Sequence, residues 1–172
     1  MGVAGTLCRD ALRTAARDGI VAGRPAALSV LYPFRPEFYA RLGWALVGAF
    51  HRYRVAPESI DVRGDGRVAP AAEADLEAVA ACYARAARAL NGPIERGPAV
   101  WDHHLRSRGG HLLVHHGPAG GIDGYMLIGW RRSASPDPTT LRVLELVHED
   151  EAAYRGLIGY LAGQSDQARI IE

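Results

Sequence analysis

The sequence predicts an α/β protein with a mixed α+β sheet, and three observations carry that prediction. Apolar residues recur at helical spacing in two stretches, Leu7, Cys8, Ala11, Leu12 and Ala15, then Leu76, Val79, Ala80, Tyr83, Ala87 and Leu90. Apolar runs of strand length, at residues 26–32, 111–115, 122–130 and 141–148, are bounded by glycine, proline and other turn formers. The two kinds of segment alternate along the chain, which is the order that places helices on a sheet. With 48% apolar and 23% charged residues over 172 positions, the chain has enough apolar matter to bury a core in one domain, or one and a fraction.

Taken in order, the first helix carries Arg9, Arg13 and Arg17 on its polar face and stops at Gly19. A turn at 23–25 leads to the strand at 26–32, which Pro33 closes. Pro36 suits the first turn of a short helix through Leu42, with Gly43 as its stop. Residues 44–55 read as one long or two short strands, and 56–66 as a polar, turn-rich linker. A short strand near 67–69 precedes the long helix from about Glu73, capped by Asn91-Gly92, and a second short helix lies at 98–106. The strands at 111–115 and 122–130 join through Gly117-Pro118-Ala119-Gly120-Gly121. A loop with Pro136 and Pro138 precedes the strand at 141–148, and a helix over 149–162 leads to the start of a strand at 168–172.

The net charge of +1 argues against a general nucleic-acid binder. It is uneven, since residues 1–54 hold eight arginines against three acids and the remainder is net acidic. A basic surface there suits an anionic ligand; a solvated basic face is the alternative. Every basic residue is arginine. Cys8 and Cys82 both occupy positions that read as helix core, so no disulfide framework is expected. No apolar run approaches the roughly 20 residues of a membrane span and no signal peptide is visible, which makes the cytoplasm the expected compartment. His103-His104, His115-His116, His111 and His148 draw the eye as metal ligands. Adjacent residues point to different sides of a helix or strand, and no cysteine or paired carboxylate completes a ligand set, so no metal is expected and the histidines read as surface or partly buried. Trp101 and Trp130 read as core or rim aromatics, and Arg131-Arg132 as a solvated strand end.

The opening Gly2-Val3-Ala4-Gly5-Thr6 runs straight into the first helix. A small-residue loop at a helix start presents free backbone N–H groups and the positive end of a helix dipole, a place for phosphate or pyrophosphate. Followed by Glu37-Phe38-Tyr39-Ala40-Arg41-Leu42-Gly43-Trp44, it resembles the acetyl-CoA half of GCN5-related N-acetyltransferases. In that family a glycine-rich pattern led by arginine or glutamine holds the pyrophosphate of coenzyme A, and a later Phe-Tyr segment supplies the tyrosine that protonates the leaving thiolate. Here Met1 stands where the arginine is expected. Leu31-Tyr32-Pro33-Phe34 running into Phe38-Tyr39 narrows the resemblance to the enhanced-intracellular-survival acetyltransferases, whose two tandem acetyltransferase-like domains precede a sterol-carrier-like domain. Ala89-Leu90-Asn91-Gly92-Pro93-Ile94-Glu95-Arg96, Trp101, Gly124-Tyr125 and Leu141-Arg142-Val143-Leu144-Glu145-Leu146 are similar to their second domain in order and spacing.

The resemblance implies an acyl-CoA N-acyltransferase-like fold, with residues 1–56 the C-terminal part of a first domain, 57–66 a linker and 67–172 an incomplete, degenerate second domain. It implies acetyl transfer from acetyl-CoA to a primary amine of aminoglycoside, polyamine or lysine type by direct attack in a ternary complex. A phenolic hydroxyl and a departing thiolate have comparable basicities, so one can give its proton to the other. By residue match Tyr39 takes this role, and Gly2, Val3, Ala4, Gly5 and Thr6 hold the pyrophosphate. At the corresponding junction of the second domain, Val147-His148-Glu149-Asp150-Glu151, three carboxylates repel pyrophosphate, so that copy is expected not to bind coenzyme A. The competing expectation is a non-catalytic scaffold or interaction module, and an open sheet edge favours self-association.

Overall fold

The structure is a computed structural model that describes residues 2–18, 28–107, 110–131 and 139–172. The expected stop at Gly19, the turn at 23–25, the first residues of the 26–32 run, Arg132 and the loop with Pro136 and Pro138 lie outside the described residues. The chain forms two compact units, Met1–His51 and Arg52–Glu172.

In the first unit, α1 (Val3–Asp18) begins inside the glycine-rich opening, so residues 3–6 are its first turn and not a loop before it, and the Gly2 carbonyl accepts from the Gly5 and Thr6 N–H groups at 3.0 and 3.4 Å. Ala15 on its apolar stripe is buried. The short helix α2 (Pro36–Ala40) has proline in its first turn, and Gly43, at φ +101°, reverses the chain behind it. The strands expected at 26–32 and 44–55 are not formed: the described residues 28–33 and 44–54 are irregular. A β-sequence becomes a strand only when a neighbour takes its N–H and C=O groups, and these segments have no ladder partner among the described residues. Leu28, Val30, Tyr32, Leu46, Val47 and Phe50 are consequently exposed.

The second unit is built on a five-stranded sheet in sequential order, β1 (Val68–Pro70), β2 (His111–His116), β3 (Ile122–Arg131), β4 (Thr140–His148) and β5 (Ile170–Ile171). The first four pair antiparallel and β4 pairs β5 in parallel, which makes the sheet mixed, as predicted. The Gly117–Gly121 stretch closes the β2–β3 hairpin, with Gly120 at φ +82° and the Gly117 N–H donating to the Gly121 carbonyl at 2.8 Å. Strand alternation then assigns the two faces. Leu113 and its register partner Met126 pack with Leu157 and Leu161 of α5 (Glu151–Ala162), while Val114 and its partner Tyr125 pack with Val79, Cys82 and Tyr83 of α3 (Leu76–Arg88). Each face of the sheet thus carries one helix. α4 (Pro98–Ser107) adds Trp101 to the α3 side.

Residues 57–66 pack against α5. Pro57 in the 3-10 turn Pro57–Ser59 is buried, and the Gly64 backbone lies against Gly159. A Cβ at Gly159 meets the Gly64 amide inside any tolerable contact distance, so helix and segment approach this closely because Gly159 lacks a side chain. Gly159→Ala is expected to lower stability by about 1–3 kcal/mol through overpacking, read by urea denaturation.

Cys82 is fully buried, and burial pushes its thiol up to about 12, which leaves it an inert packing residue. Cys8 is partly exposed, and both cysteines are free. No helix among the described residues is long and apolar enough to cross a membrane.

Candidate functional site

The first unit positions Tyr39 by local geometry alone. Pro36 starts α2, and after Gly43 turns the chain, the Leu42 and Trp44 N–H groups both return to the Tyr39 carbonyl at 2.9 and 3.2 Å. The Tyr39 ring is held edge-on by Phe34, Phe38 and Trp44 at centroid distances of 5.7, 5.1 and 5.8 Å. T-shaped contacts at these separations fix a ring's orientation without occupying its hydroxyl. Tyr39 and Trp44 face a cavity of about 940 Å³ that Leu31, Tyr32 and Phe50 also line. The Trp44 indole nitrogen is buried and has no acceptor among the described residues.

Residues Gly2, Val3, Ala4, Gly5 and Thr6 form the start of α1 and are not among those lining the Tyr39 cavity. The first turn of α1 contains no acidic residue, so the positive end of its dipole is unopposed by an internal carboxylate. The start of α5 is the opposite case. The Asp150 carboxylate caps it by accepting from the Ala153 N–H at 2.9 Å, and Glu151 occupies its first turn. Glu149 is engaged by Arg85 in a fork, Nε to Oε2 at 2.9 Å and Nη2 to Oε1 at 2.6 Å. The Arg85 hydrogen bonds hold the Glu149 carboxyl below its ordinary value despite partial burial. Of the two helix starts, only that of α1 is electrostatically suited to a pyrophosphate.

The second unit holds two polar clusters that sequence reasoning missed. In the first, Arg96 lies over the rings of Tyr83 and Trp101, 4.0 and 5.0 Å from their centroids, and grips Glu145 through Nη2 at 2.6 Å and Nη1 at 3.1 Å. Glu145 also meets the His104 ring at 2.7 Å and accepts from the Tyr125 hydroxyl at 3.2 Å. Burial pushes the Glu145 carboxyl up, but the Arg96 and His104 hydrogen bonds outweigh it and leave the group below its ordinary value. Tyr83 closes the shell by donating to the Ile94 carbonyl at 2.7 Å. Tyr83 and Trp101 line a groove of about 1160 Å³ between α3, α4 and β2. The signal in the sequence was one glutamate at the centre of Leu144-Glu145-Leu146, an acid inside an apolar strand.

The second cluster corrects the reading of the histidines. His115 is fully buried, paired through Nδ1 with Asp123 and through Nε2 with Asp65 at 2.9 Å. It shares the face of β2 with Leu113 and meets α5 where Gly156 leaves room for its ring. Burial pulls the imidazole pKa down, but the two carboxylates outweigh burial and the net shift is upward. A raised histidine pKa contributes stability that is complete below the unfolded value of about 6.5 and is lost as pH rises through the higher folded value. Urea denaturation across this range is expected to show that loss, and Asp123→Asn to flatten it. Among the described residues no group of three or more His, Cys, Asp and Glu side chains is arranged to hold a metal ion.

Residues 92–172 match the family described as an acetyltransferase (GNAT) domain. No curated protein matches the chain. Among solved structures, a GCN5-related N-acetyltransferase from Anabaena variabilis aligns over 99% of this chain and 42% of its own, with 19% identity and a TM-score of 0.79. One from Kribbella flavida aligns over 99% of this chain and 40% of its own, at 22% identity and a TM-score of 0.71. Eis1 from Mycobacterium abscessus aligns over 69% of this chain and 31% of its own, at 28% identity and a TM-score of 0.53. The fold is that of acyl-CoA N-acyltransferases, and the matched segment resembles an acetyltransferase. The chain spans less than half the length of each of these three structures.

Proposed function

We propose that the chain contributes to an Eis-like N-acetyltransferase that moves an acetyl group from acetyl-CoA to a primary amine of aminoglycoside, polyamine or lysine type. The observation that carries the reading is the match of residues 92–172 to an acetyltransferase domain. In this reading residues 1–56 belong to a first acetyltransferase domain, 57–66 connect it, and 67–172 belong to a second that has lost the cofactor. The contrast between the two helix starts supports that division, an acid-free first turn in α1 against a capped, acidic one in α5.

The chemistry asks four things of the protein. The glycine-rich start of α1, residues 2–6, holds the pyrophosphate, chiefly through the N–H groups of Gly2, Val3 and Ala4, since those of Gly5 and Thr6 donate to the Gly2 carbonyl. The amine nitrogen attacks the thioester carbonyl in a ternary complex, forming the C–N bond as the C–S bond breaks. The Tyr39 hydroxyl gives its proton to the departing sulfur, and the ammonium proton passes to a base. The aromatic cage around Tyr39 supports its part by fixing where the hydroxyl stands.

The experiment is thiol release from acetyl-CoA by the purified chain with tobramycin, spermidine and a lysine peptide in turn. Release with at least one amine supports the reading; none with any of them overturns it for the isolated chain.

A second reading rests on the exposed apolar side chains of Leu46, Val47 and Phe50. A scaffold that recruits a further copy through these unpaired segments would cover them. Light scattering is expected to give a dimer, and Val47→Glu with Phe50→Glu a monomer.

A further inference from the structure

We infer that the sheet of the second unit carries a site for a phosphate-bearing ligand, built from Arg52, Arg54, Arg131 and Arg142 around Glu172. Strand geometry brings these residues together. Leu141 and Ile171 are register partners and both are buried, so alternation turns Arg142 and Glu172 to the opposite face. Glu172 is tied into the sheet by its own backbone, donating to the Leu141 carbonyl at 2.9 Å and accepting from the Val143 N–H at 2.8 Å. On the other side of β5, Val55 and Ile171 exchange hydrogen bonds of 3.0 and 2.8 Å, which sets Arg54 beside Glu172.

The arginines are not consumed by that carboxylate. Their nitrogens stand off it, Arg142 Nε at 3.5 Å and Arg52 Nε at 3.8 Å from Oε1, Arg54 Nε at 3.6 Å and Arg131 Nη2 at 3.9 Å from Oε2. Arg85 on Glu149 and Arg96 on Glu145 close to 2.6 Å in a fork, whereas the four arginines here stand off as the exposed pairs Arg67–Asp65 and Arg155–Glu151 do, at 4.0 and 3.9 Å. Four guanidiniums thus share one side-chain carboxylate without a short contact, and positive charge is in surplus. Each arginine side chain is about half exposed, while Glu172 is 11% exposed.

Planar forks converging at this spacing match a tetrahedral dianion, with several N–H groups for each oxygen. Glu172 acts as an internal counter-ion that keeps the arginines gathered when the site is empty and competes with the ligand when it fills. The site lies near the start of β4, about 20 Å along that strand from the junction into α5, by the rise of a strand. It is therefore separate from the acidic helix start, and it does not depend on the role proposed for Tyr39.

The test is calorimetric titration of the full chain with inorganic pyrophosphate and inorganic phosphate at constant ionic strength. Saturable binding with a Kd below about 10 mM is expected, tighter for pyrophosphate. Arg54→Gln with Arg142→Gln is expected to weaken it at least tenfold, and Glu172→Gln, which removes the competitor, to tighten it several-fold. Both variants are checked for native circular dichroism, and the Glu172 variant keeps the test decisive if the double variant unfolds. Absence of saturable pyrophosphate binding to the native chain, or an affinity that Glu172→Gln leaves unchanged, overturns the inference.

Discussion

Arg96→Met is expected to destabilise the second unit by about 3–5 kcal/mol, because it strands the Glu145 carboxylate in a buried position. The Arg96 and Glu145 side chains are only 13% and 14% exposed, so water cannot replace the lost partner. The substitution also removes the cation stacked on Tyr83 and Trp101, adding packing loss to charge loss. Arg96→Met with Glu145→Gln is expected to recover much of the stability, since the buried charge is then gone. The pH dependence has a definite sign. Glu145 titrates below its ordinary value, so its share of stability is present above about pH 4.5 and is lost as pH falls through the lower folded value. Urea denaturation between pH 3 and pH 6 checks both statements. A loss of less than about 1 kcal/mol for the single variant would mean that the cluster is hydrated in solution.

Tyr39→Phe is expected to slow thiol release about 10²- to 10⁴-fold, the span associated with losing a positioned general acid. Phenylalanine keeps the ring and its edge-on contacts with Phe34, Phe38 and Trp44, so the fold and acetyl-CoA affinity are expected to stay within about twofold of the native chain. The diagnostic pattern is therefore a drop in kcat with KM for acetyl-CoA unchanged. Equal losses of both would place Tyr39 in binding and not in proton transfer.

Segments whose signal is local were legible in the sequence. The apolar stripe of α3, the glycine turn between β2 and β3, and the acids at the start of α5 each follow from residues a few positions apart. Asp150 proves to be the cap itself, which moves the first helical residue from 149 to Glu151. The failures share one physical cause. Residues 28–33 and 44–54 have β-like sequences, but strand formation is settled by a partner elsewhere, and none among the described residues pairs with them as a ladder. The polar clusters were hidden for the same reason. His115 meets Asp65 across 50 positions, and Glu145 meets Arg96 across 49 and His104 across 41. Alternation separates the adjacent histidines, sending His115 inward with Leu113 while its neighbour His116 stays partly exposed, but the burial of His115 between Asp65 and Asp123 depends on residues the histidine pattern does not contain.

The proposal that α1 and not α5 receives the cofactor rests on charge, and one titration tests it. Ala4→Asp places a carboxylate in the first turn of α1, where it favours the helix dipole and so preserves the fold while repelling a pyrophosphate. Calorimetric titration with acetyl-CoA is expected to show saturable binding to the native chain and at least a tenfold loss in Ala4→Asp. Equal affinity in the two proteins, or no binding to the native chain, would contradict the account.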